Sequence, residues 1–277
     1  MLTQDFKENR NAPIFVHSDL MPILSSKNID LRKFSIDSDY QHHTLDSVVT
    51  DLRQFVGDGA LWFPAFNYDF CQDGIFNLTK SVSQVGTFAE YFRVNHAEWR
   101  THTPIFSFSG DGVPHCAGVK KEVIDPFDFG SDFCRLVTEN GLILFYGANF
   151  SPTFIHFIER VSPGGPAYRY DKLFSGIVIN GESKSSVTVK YHVMPSSLRI
   201  KYDTEKISRD LYEAGLLRSF PALFQPCYAI TARSMLDFCL EKLNHDPLYF
   251  LTKSSNLEVS EALNKIGRRF LMSDFED

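Results

Sequence analysis

Cysteine is scarce in this 277-residue chain and poorly placed for bonding: Cys71, Cys116, Cys134, Cys227 and Cys239 are an odd number, widely spread, with no C-x-x-C pair. That pattern argues against a disulfide framework or a cysteine zinc site, and reduced, mostly buried thiols are expected. Long apolar runs are missing too. No stretch approaches the roughly 18 uninterrupted apolar residues of a membrane-spanning helix. The opening MLTQDFKENRNAP lacks the charged-then-apolar order of a signal peptide. A cytoplasmic protein without membrane contact is expected. Basic residues are outnumbered, with Lys+Arg 28 against Asp+Glu 34 and a formal charge of −6. Such a balance repels a nucleic-acid backbone unless the basic residues cluster, so no nucleic-acid partner is expected. Internal repeats and low-complexity tracts are absent. The triplet Asn77-Leu78-Thr79 has the form of a glycosylation acceptor, which carries no meaning without secretion.

What remains is a chain 43% apolar with a mean hydropathy of −0.16, enough to bury a sizeable core. Short apolar runs alternate with amphipathic patterns over the first 160 residues, the arrangement of sheet strands joined by crossover helices. Strands are predicted at PIFVHS (13–18), ALWFPAF (60–66), PIFSFSG (104–110) and LILFYGA (142–148). Apolar residues at three- and four-residue steps predict helices over 43–56, 86–97 and 131–141. After the breaker SPGGPAY, the stretch FSGIVINGESKSSVTVKYHVMP reads as two strands around Asn180-Gly181. Helical periodicity returns in ISRDLYEAGLLRSF and TARSMLDFCLEKLNHDP. The expected fold is a three-layer α/β/α domain over residues 1–277, with a hairpin-containing insertion at 162–203 that contributes to the acceptor site.

The stretch SPTFIHFIERV (151–161) follows a buried strand without a linker. Ser151-Pro152 predicts a helix start, because serine caps free N–H groups and proline tolerates the first helical position. His156 and Glu159 then share a face, three residues apart, just past the carboxyl end of a strand, where open α/β sheets form their ligand crevices. The positive end of the helix dipole lowers the histidine pKa and keeps the ring neutral, the form that accepts a proton. The plainer reading is a partly buried helix residue bonded to Glu159, and the spacing alone leaves both open. No metal site is expected, since zinc needs at least three protein ligands and no His/Cys/Asp cluster surrounds this pair; His42 and His43 are adjacent on a presumed helix start and do not face one ion together.

Thr153-x-x-His156-x-x-Glu159 does not stand alone. Together with VHSDL (16–20), FPAFNYDF (63–70), VGTFAEYFR (85–93), RTHTPIFSFSGDG (100–112), DPFDFGSDFCRL (125–136) and ILFYGANF (143–150), it resembles the aminoglycoside 3-N-acetyltransferase family, and the resemblance extends to KYDTEKI and ARSMLDFCLEKLNHDPLYFL near the end. The resemblance implies acyl transfer from acetyl-CoA or another acyl-CoA to a primary amine, by direct attack in a ternary complex, on a layered α/β/α fold. Its Thr-x-x-His motif puts the general base on His156, with Thr153 beside it. VHSDL and RTHTP fall on segments that line the coenzyme cleft, which makes His17, Ser18, Asp19, Arg100, Thr101, Phe106 and Ser107 the coenzyme candidates. The chain departs from the family pattern at Asp19, where a second serine is usual, and at Thr103, where a histidine precedes the proline.

A protonated amine cannot attack a thioester, and a neutral imidazole within reach can take its proton, a contribution of about 10²–10⁴-fold. The carboxylate expected to orient the ring is Asp203, because the family places an acidic residue in that segment, with Glu159 second. Backbone N–H groups after a strand and the Ser18 hydroxyl are the expected oxyanion donors. Tyr68, Asp69, Arg169 and Tyr170 are the candidate acceptor contacts. Over 160–206 there are eight basic residues (Arg160, Arg169, Lys172, Lys184, Lys190, Arg199, Lys201, Lys206) against four acidic ones. Such a surface suits an anionic acceptor, so a nucleotide-linked amino sugar (dTDP- or UDP-linked) for surface polysaccharide is the preferred substrate, with Tyr168, Tyr170 and Tyr191 to stack on the base. The alternatives are aminoglycoside modification and a non-catalytic binding module of the same fold. Acyl chain and oligomeric state stay open.

Overall fold

The computed structural model describes residues 2, 6, 12–112, 123–220 and 226–276; Cys116 lies outside them. The chain runs through β1 (Ile14–Ser18), α1 (Leu20–Ser26), α2 (Leu31–Ile36), α3 (Ser38–Val56), β2 (Leu61–Pro64), α4 (Phe70–Asp73), β3 (Ile75–Asn77), α5 (Thr87–Asn95), β4 (Trp99–Arg100) and β5 (Phe108–Gly110). Then come β6 (Val123–Ile124), α6 (Asp132–Thr138), β7 (Leu142–Tyr146), α7 (Phe154–Val161), β8 (Tyr170–Asn180), β9 (Ser183–Val193), α8 (Thr204–Glu213), β10 (Arg218–Ser219), β11 (Cys227–Thr231), α9 (Ala232–His245) and α10 (Lys253–Ile266). Two mixed sheets result, of order β10-β11-β7-β1-β2-β5-β4 and β3-β8-β9-β6.

Alternation along the central strands builds three layers. On β1, Phe15 enters one apolar cluster with Phe133, Phe154 and Met235, while Ile14 and Val16 enter another with Val48, Leu52, Phe88 and Phe92. Each face of the larger sheet is thus covered by helices, α6, α7 and α9 on one side and α3 and α5 on the other, as strands buried on both faces require. The small sheet packs onto the first cluster through Val178, Val187 and Val189.

The layered α/β/α expectation holds, with differences in detail. In the larger sheet, the parallel pairs among the described residues are those of β1 with β2 and β7; β5 returns antiparallel to β2, and β11 antiparallel to β7. The strand expected over 104–110 begins only at Phe108. Ile105 has φ +70° and the Phe106 N–H donates to the Pro104 carbonyl at 2.8 Å, a strained γ-turn that breaks the extended run. The helix expected from 207 runs over Thr204–Glu213, and the LLRSF that follows it holds a short strand instead. In the hairpin, Asn180 pairs with Ser183, so the two-residue loop is Gly181-Glu182 and not Asn180-Gly181. Gly181 has φ 58° and Glu182 is not in the positive-φ region, which fits a turn with glycine first. The slip matters because one residue of register exchanges the two faces of a strand.

One glycine positions the functional end of the sheet. Gly147, directly after β7, has φ +72°, and a Cβ there would lie 2.5 Å from the Asp19 carbonyl oxygen. The loop into α7 therefore runs tight against the start of α1.

Candidate active site

His156 stands in the first turn of α7, at the carboxyl end of β7. The helix starts later than Ser151-Pro152 predicts: Thr153 is the cap residue, makes no side-chain cap bond, and accepts the His156 N–H at its carbonyl at 3.0 Å. Ser151 is exposed. The His156 side chain is 27% exposed and that of Glu159 1%.

The inner edge of the ring meets a buried polar cluster. Nδ1 lies 3.1 Å from the Tyr202 hydroxyl, 2.8 Å from Arg169 Nη2 and 3.6 Å from Glu159 Oε2. Tyr202 donates to Glu159 Oε2 at 2.7 Å, and Arg169 donates to Tyr202 at 2.5 Å and to the His192 carbonyl at 2.6 Å. Arg169 Nε is 2.8 Å from Glu159 Oε2, and Tyr168 donates to Oε1 of the same carboxylate. Nε2 of His156 makes no hydrogen bond to any described residue, so it is the nitrogen left for a ligand.

Charge follows from this packing. Burial, then the Arg169 cation, push the His156 pKa below its usual value, so the ring is neutral near pH 7. Burial alone would raise Glu159, but the Arg169 cation, the neighbouring ring and the bond from Tyr168 outweigh it and hold the carboxyl at about 2. Burial also drives the Tyr202 pKa well up, so its hydroxyl keeps its proton.

The sequence-based choice of Asp203 as the orienting carboxylate is not what the fold delivers. Asp203 caps α8 by accepting the Lys206 N–H at 2.9 Å, and Glu159 is the carboxylate beside the ring. The residue that the KYDTEK segment does contribute is Tyr202, which sequence reasoning missed. The signal was its place next to a family acidic residue, but a tyrosine there is indistinguishable in sequence from core.

On its other side the ring joins an aromatic row. His156 meets Phe127 edge-on at 5.5 Å, Phe127 lies 4.7 Å from Phe106, and Phe106 meets Tyr191 at 4.9 Å and Tyr68 at 6.0 Å. Tyr68 is 38% exposed, so the row leads from the surface to the ring. Asp69 is exposed and accepts from Gln84 Nε2 at 2.9 Å. A cavity of about 640 Å³ at the start of α8 is lined by residues including Asn149, Phe150, Thr204, Ser208, Arg209 and Tyr228.

The family model for aminoglycoside 3-N-acetyltransferases matches residues 16–244. The chain belongs to that family. By family it is an N-acetyltransferase. Among curated proteins none matches. Solved structures share the fold: AAC-IIIb in a binary complex with CoASH (16% identity, 88% of this chain and 95% of that one, TM-score 0.65), AAC-VIa bound to sisomicin (17%, 88% and 96%, 0.61), and the YokD protein from Bacillus subtilis (16%, 88% and 98%, 0.60).

In this acetyltransferase several coenzyme candidates serve the fold instead. Arg100 donates to the carbonyls of Ala65 (2.6 Å), Leu78 (3.2 Å) and Ser81 (2.5 Å) and to the Ser107 hydroxyl (3.1 Å). Ser107 donates in turn to Ala65 O at 2.5 Å, and Thr101 accepts the Phe108 N–H at 2.9 Å. Their hydrogen bonds hold the β2 and β5 ends together, so they are not free for phosphate or amide. Phe106 is buried in the aromatic row. Asp19 caps α1 by accepting the Met21 N–H at 3.0 Å. His17 and Ser18 keep unused capacity at the end of β1. The His17 ring stacks on Phe145 at 5.3 Å, its Nε2 is buried without a partner among the described residues, and the Ser18 hydroxyl bonds none of them. A polar group of acyl-CoA fits there chemically. Among the described residues no group of three or more His, Cys, Asp or Glu is arranged for a metal ion, and no helix is long and apolar enough to cross a membrane.

Burial lowers the His17 pKa to about 4, and this has a measurable consequence. Above pH 6.5 the ring is neutral folded or unfolded and adds nothing. Between pH 6.5 and 4 the unfolded chain binds the proton and the native one does not, so stability falls with acid, by about 2 kcal/mol at pH 5. Urea midpoints of His17→Phe should therefore decline less between pH 7 and pH 5 than those of wild type. Equal declines would show that His17 is not a buried neutral group.

Four of the eight basic residues counted on the hairpin segment are ion-paired. Arg160 pairs with Asp125 at 2.6 Å and Asp171 at 3.1 Å, Lys190 with Asp125 at 3.5 Å, Lys172 with Glu276, and Arg169 with Glu159. Lys206 donates to the Tyr249 carbonyl. Tyr168 is fully buried with its hydroxyl on Glu159, and Tyr170 stacks on Phe275, so neither offers a face to a nucleobase. Arg169 and Tyr170 are likewise internal and not acceptor contacts. The physical case for an anionic, nucleotide-linked acceptor is thereby weakened.

Proposed function

We propose that this acetyltransferase acylates a primary amine of an aminoglycoside-type amino sugar, with His156 as general base. The observation that carries the reading is a neutral imidazole, gripped at Nδ1 by a buried cluster, whose side chain is still 27% exposed at the carboxyl end of the sheet. In this reading Nε2 takes the proton of the attacking amine, the C–N bond forms as the thioester C–S bond breaks, and the imidazolium returns its proton to the departing thiolate. Glu159 steadies the positive ring without leaving its Arg169 partner. His17 and Ser18 bind the coenzyme at the end of β1. Tyr68 and Asp69, at the exposed end of the aromatic row, meet the cationic acceptor, whose charge suits a carboxylate and an aromatic face.

Ion pairing of Arg160, Arg169, Lys172 and Lys190 supports a cationic acceptor over a nucleotide-linked one. Thiol release from acetyl-CoA with a panel of amines tests this. Aminoglycosides should give turnover, and dTDP- and UDP-linked amino sugars should not. The reverse result would restore the nucleotide-sugar acceptor, and no turnover with any amine would favour a binding module.

A further inference from the structure

The cluster behind His156 contains a proton-ordering problem. A base working at Nε2 needs its lone pair there, so the ring hydrogen must sit on Nδ1 and be accepted by something. Glu159 is the carboxylate that would ordinarily accept it, but 3.6 Å is too long for a hydrogen bond. Arg169 Nη2, at 2.8 Å, is closer, yet a guanidinium only donates. If it donates to Nδ1, the ring hydrogen is forced onto Nε2 and the outer nitrogen cannot take a proton.

We propose that Tyr202 is the positioning residue that sets the catalytic tautomer: its hydroxyl accepts Nδ1–H of His156 and donates to Glu159, linking ring and carboxylate that do not meet directly. A hydroxyl has one donor and two acceptor sites. The distances use all three, with Nδ1 at 3.1 Å, Arg169 Nη2 at 2.5 Å and Glu159 Oε2 at 2.7 Å. Within the cluster it is the group able to accept from the ring and donate to the carboxylate at once. Arg169 favours the opposite, silent tautomer from the same heavy-atom positions, so the hydroxyl decides between them. The backbone holds Tyr202 in place. It bridges Leu251, the next residue's N–H donates to Phe250 O at 2.8 Å, and the Tyr202 ring packs edge-on against Phe250.

The inference rests on His156 being the base, and its test separates the two. Nitrogen-15 NMR of the histidine rings, read on the protein without substrate, should show His156 in the Nδ1–H form in wild type and the Nε2–H form in Tyr202→Phe. The same variant should lose kcat by about tenfold or more, part of the whole base contribution, with KM for acetyl-CoA little changed. Tyr168→Phe removes the hydroxyl from the other carboxylate oxygen and is expected to cost similar stability while the ring keeps its tautomer. An Nε2–H ring in wild type, or the Nδ1–H form persisting in Tyr202→Phe, would overturn the assignment. Loss of the Nδ1–H form in Tyr168→Phe as well would also overturn it, since any disturbance of Glu159 would then suffice. Failure of His156→Asn to slow turnover would remove the base and leave the tautomer measurement standing.

Discussion

His156→Asn is expected to lower kcat by about 10²–10⁴-fold, the usual worth of a positioned base, while the KM for acyl-CoA changes little. Asparagine keeps a polar group of similar reach toward Tyr202 and Arg169 but cannot take a proton from the amine. The sign of the pH dependence follows from the ring's surroundings. Burial and Arg169 lower its pKa from 6.5, so the catalytically useful neutral form persists below pH 6.5. The acid limb of kcat/KM for wild type should have its midpoint under that value. A midpoint above it, or a variant with wild-type kcat, would remove the imidazole from the role. The residual rate of the variant should lack that limb, because the group that titrates is gone.

The largest effect on stability is expected at Arg169. Its side chain is 4% exposed and that of its partner Glu159 1%. Removing one member of such a pair leaves a buried charge without compensation and costs about 3–5 kcal/mol. Arg169→Met should lower the urea midpoint accordingly, a loss comparable to much of the stability of a typical domain. The pair's mutual shifts give the physical reason. Arg169 keeps Glu159 ionised down to about pH 2, and Glu159 raises Arg169 above its ordinary range against the pull of burial. Without the cation, burial should push the carboxyl pKa above its usual value. Arg169→Met should then become relatively more stable as pH falls from 7 to 5, whereas wild type should not. Arg169→Met/Glu159→Gln should recover part of the loss, because the unpaired charge is gone although the Tyr168 and Tyr202 hydroxyls still need partners. A single variant within 1 kcal/mol of wild type would mean that the cluster is hydrated and not buried.

Much of the scaffold was legible because its signals are local. Alternation and short apolar runs placed β1, β2 and β7 to within a residue or two, and apolar residues at three- and four-residue steps located α6 within the predicted 131–141. The errors came where a long-range contact overrode local pattern. The run at 104–110 reads as a strand, but the turn at Ile105 interrupts it so that Asn67 can bridge Ile105. Asn180-Gly181 is a good turn signal, yet pairing along the whole hairpin shifted the loop by one residue.

The same division runs through the site. His156 and Glu159 are three residues apart on one helix, so their shared face follows from helical geometry. The coenzyme candidates divided by whether the fold had already used them: Arg100 and Thr101 are bonded internally, and His17 and Ser18 are not. Charge counted along the hairpin overstated the basic surface, because Asp125 and Glu276, distant in sequence, pair with Arg160, Lys190 and Lys172.

By itself, then, the sequence determined a layered α/β/α enzyme fold, its family, and a histidine at the head of a helix after a buried strand, all of which depend on spacing within one segment or on the order of segments. Only the tertiary structure decided which carboxylate stands behind that histidine, that Arg169 neutralises it, and that Tyr202 joins the two. Arg169 lies 10 residues from Glu159 and Tyr202 lies 46 from His156, and no periodicity encodes which side chains a fold will bring into hydrogen-bond reach of one another.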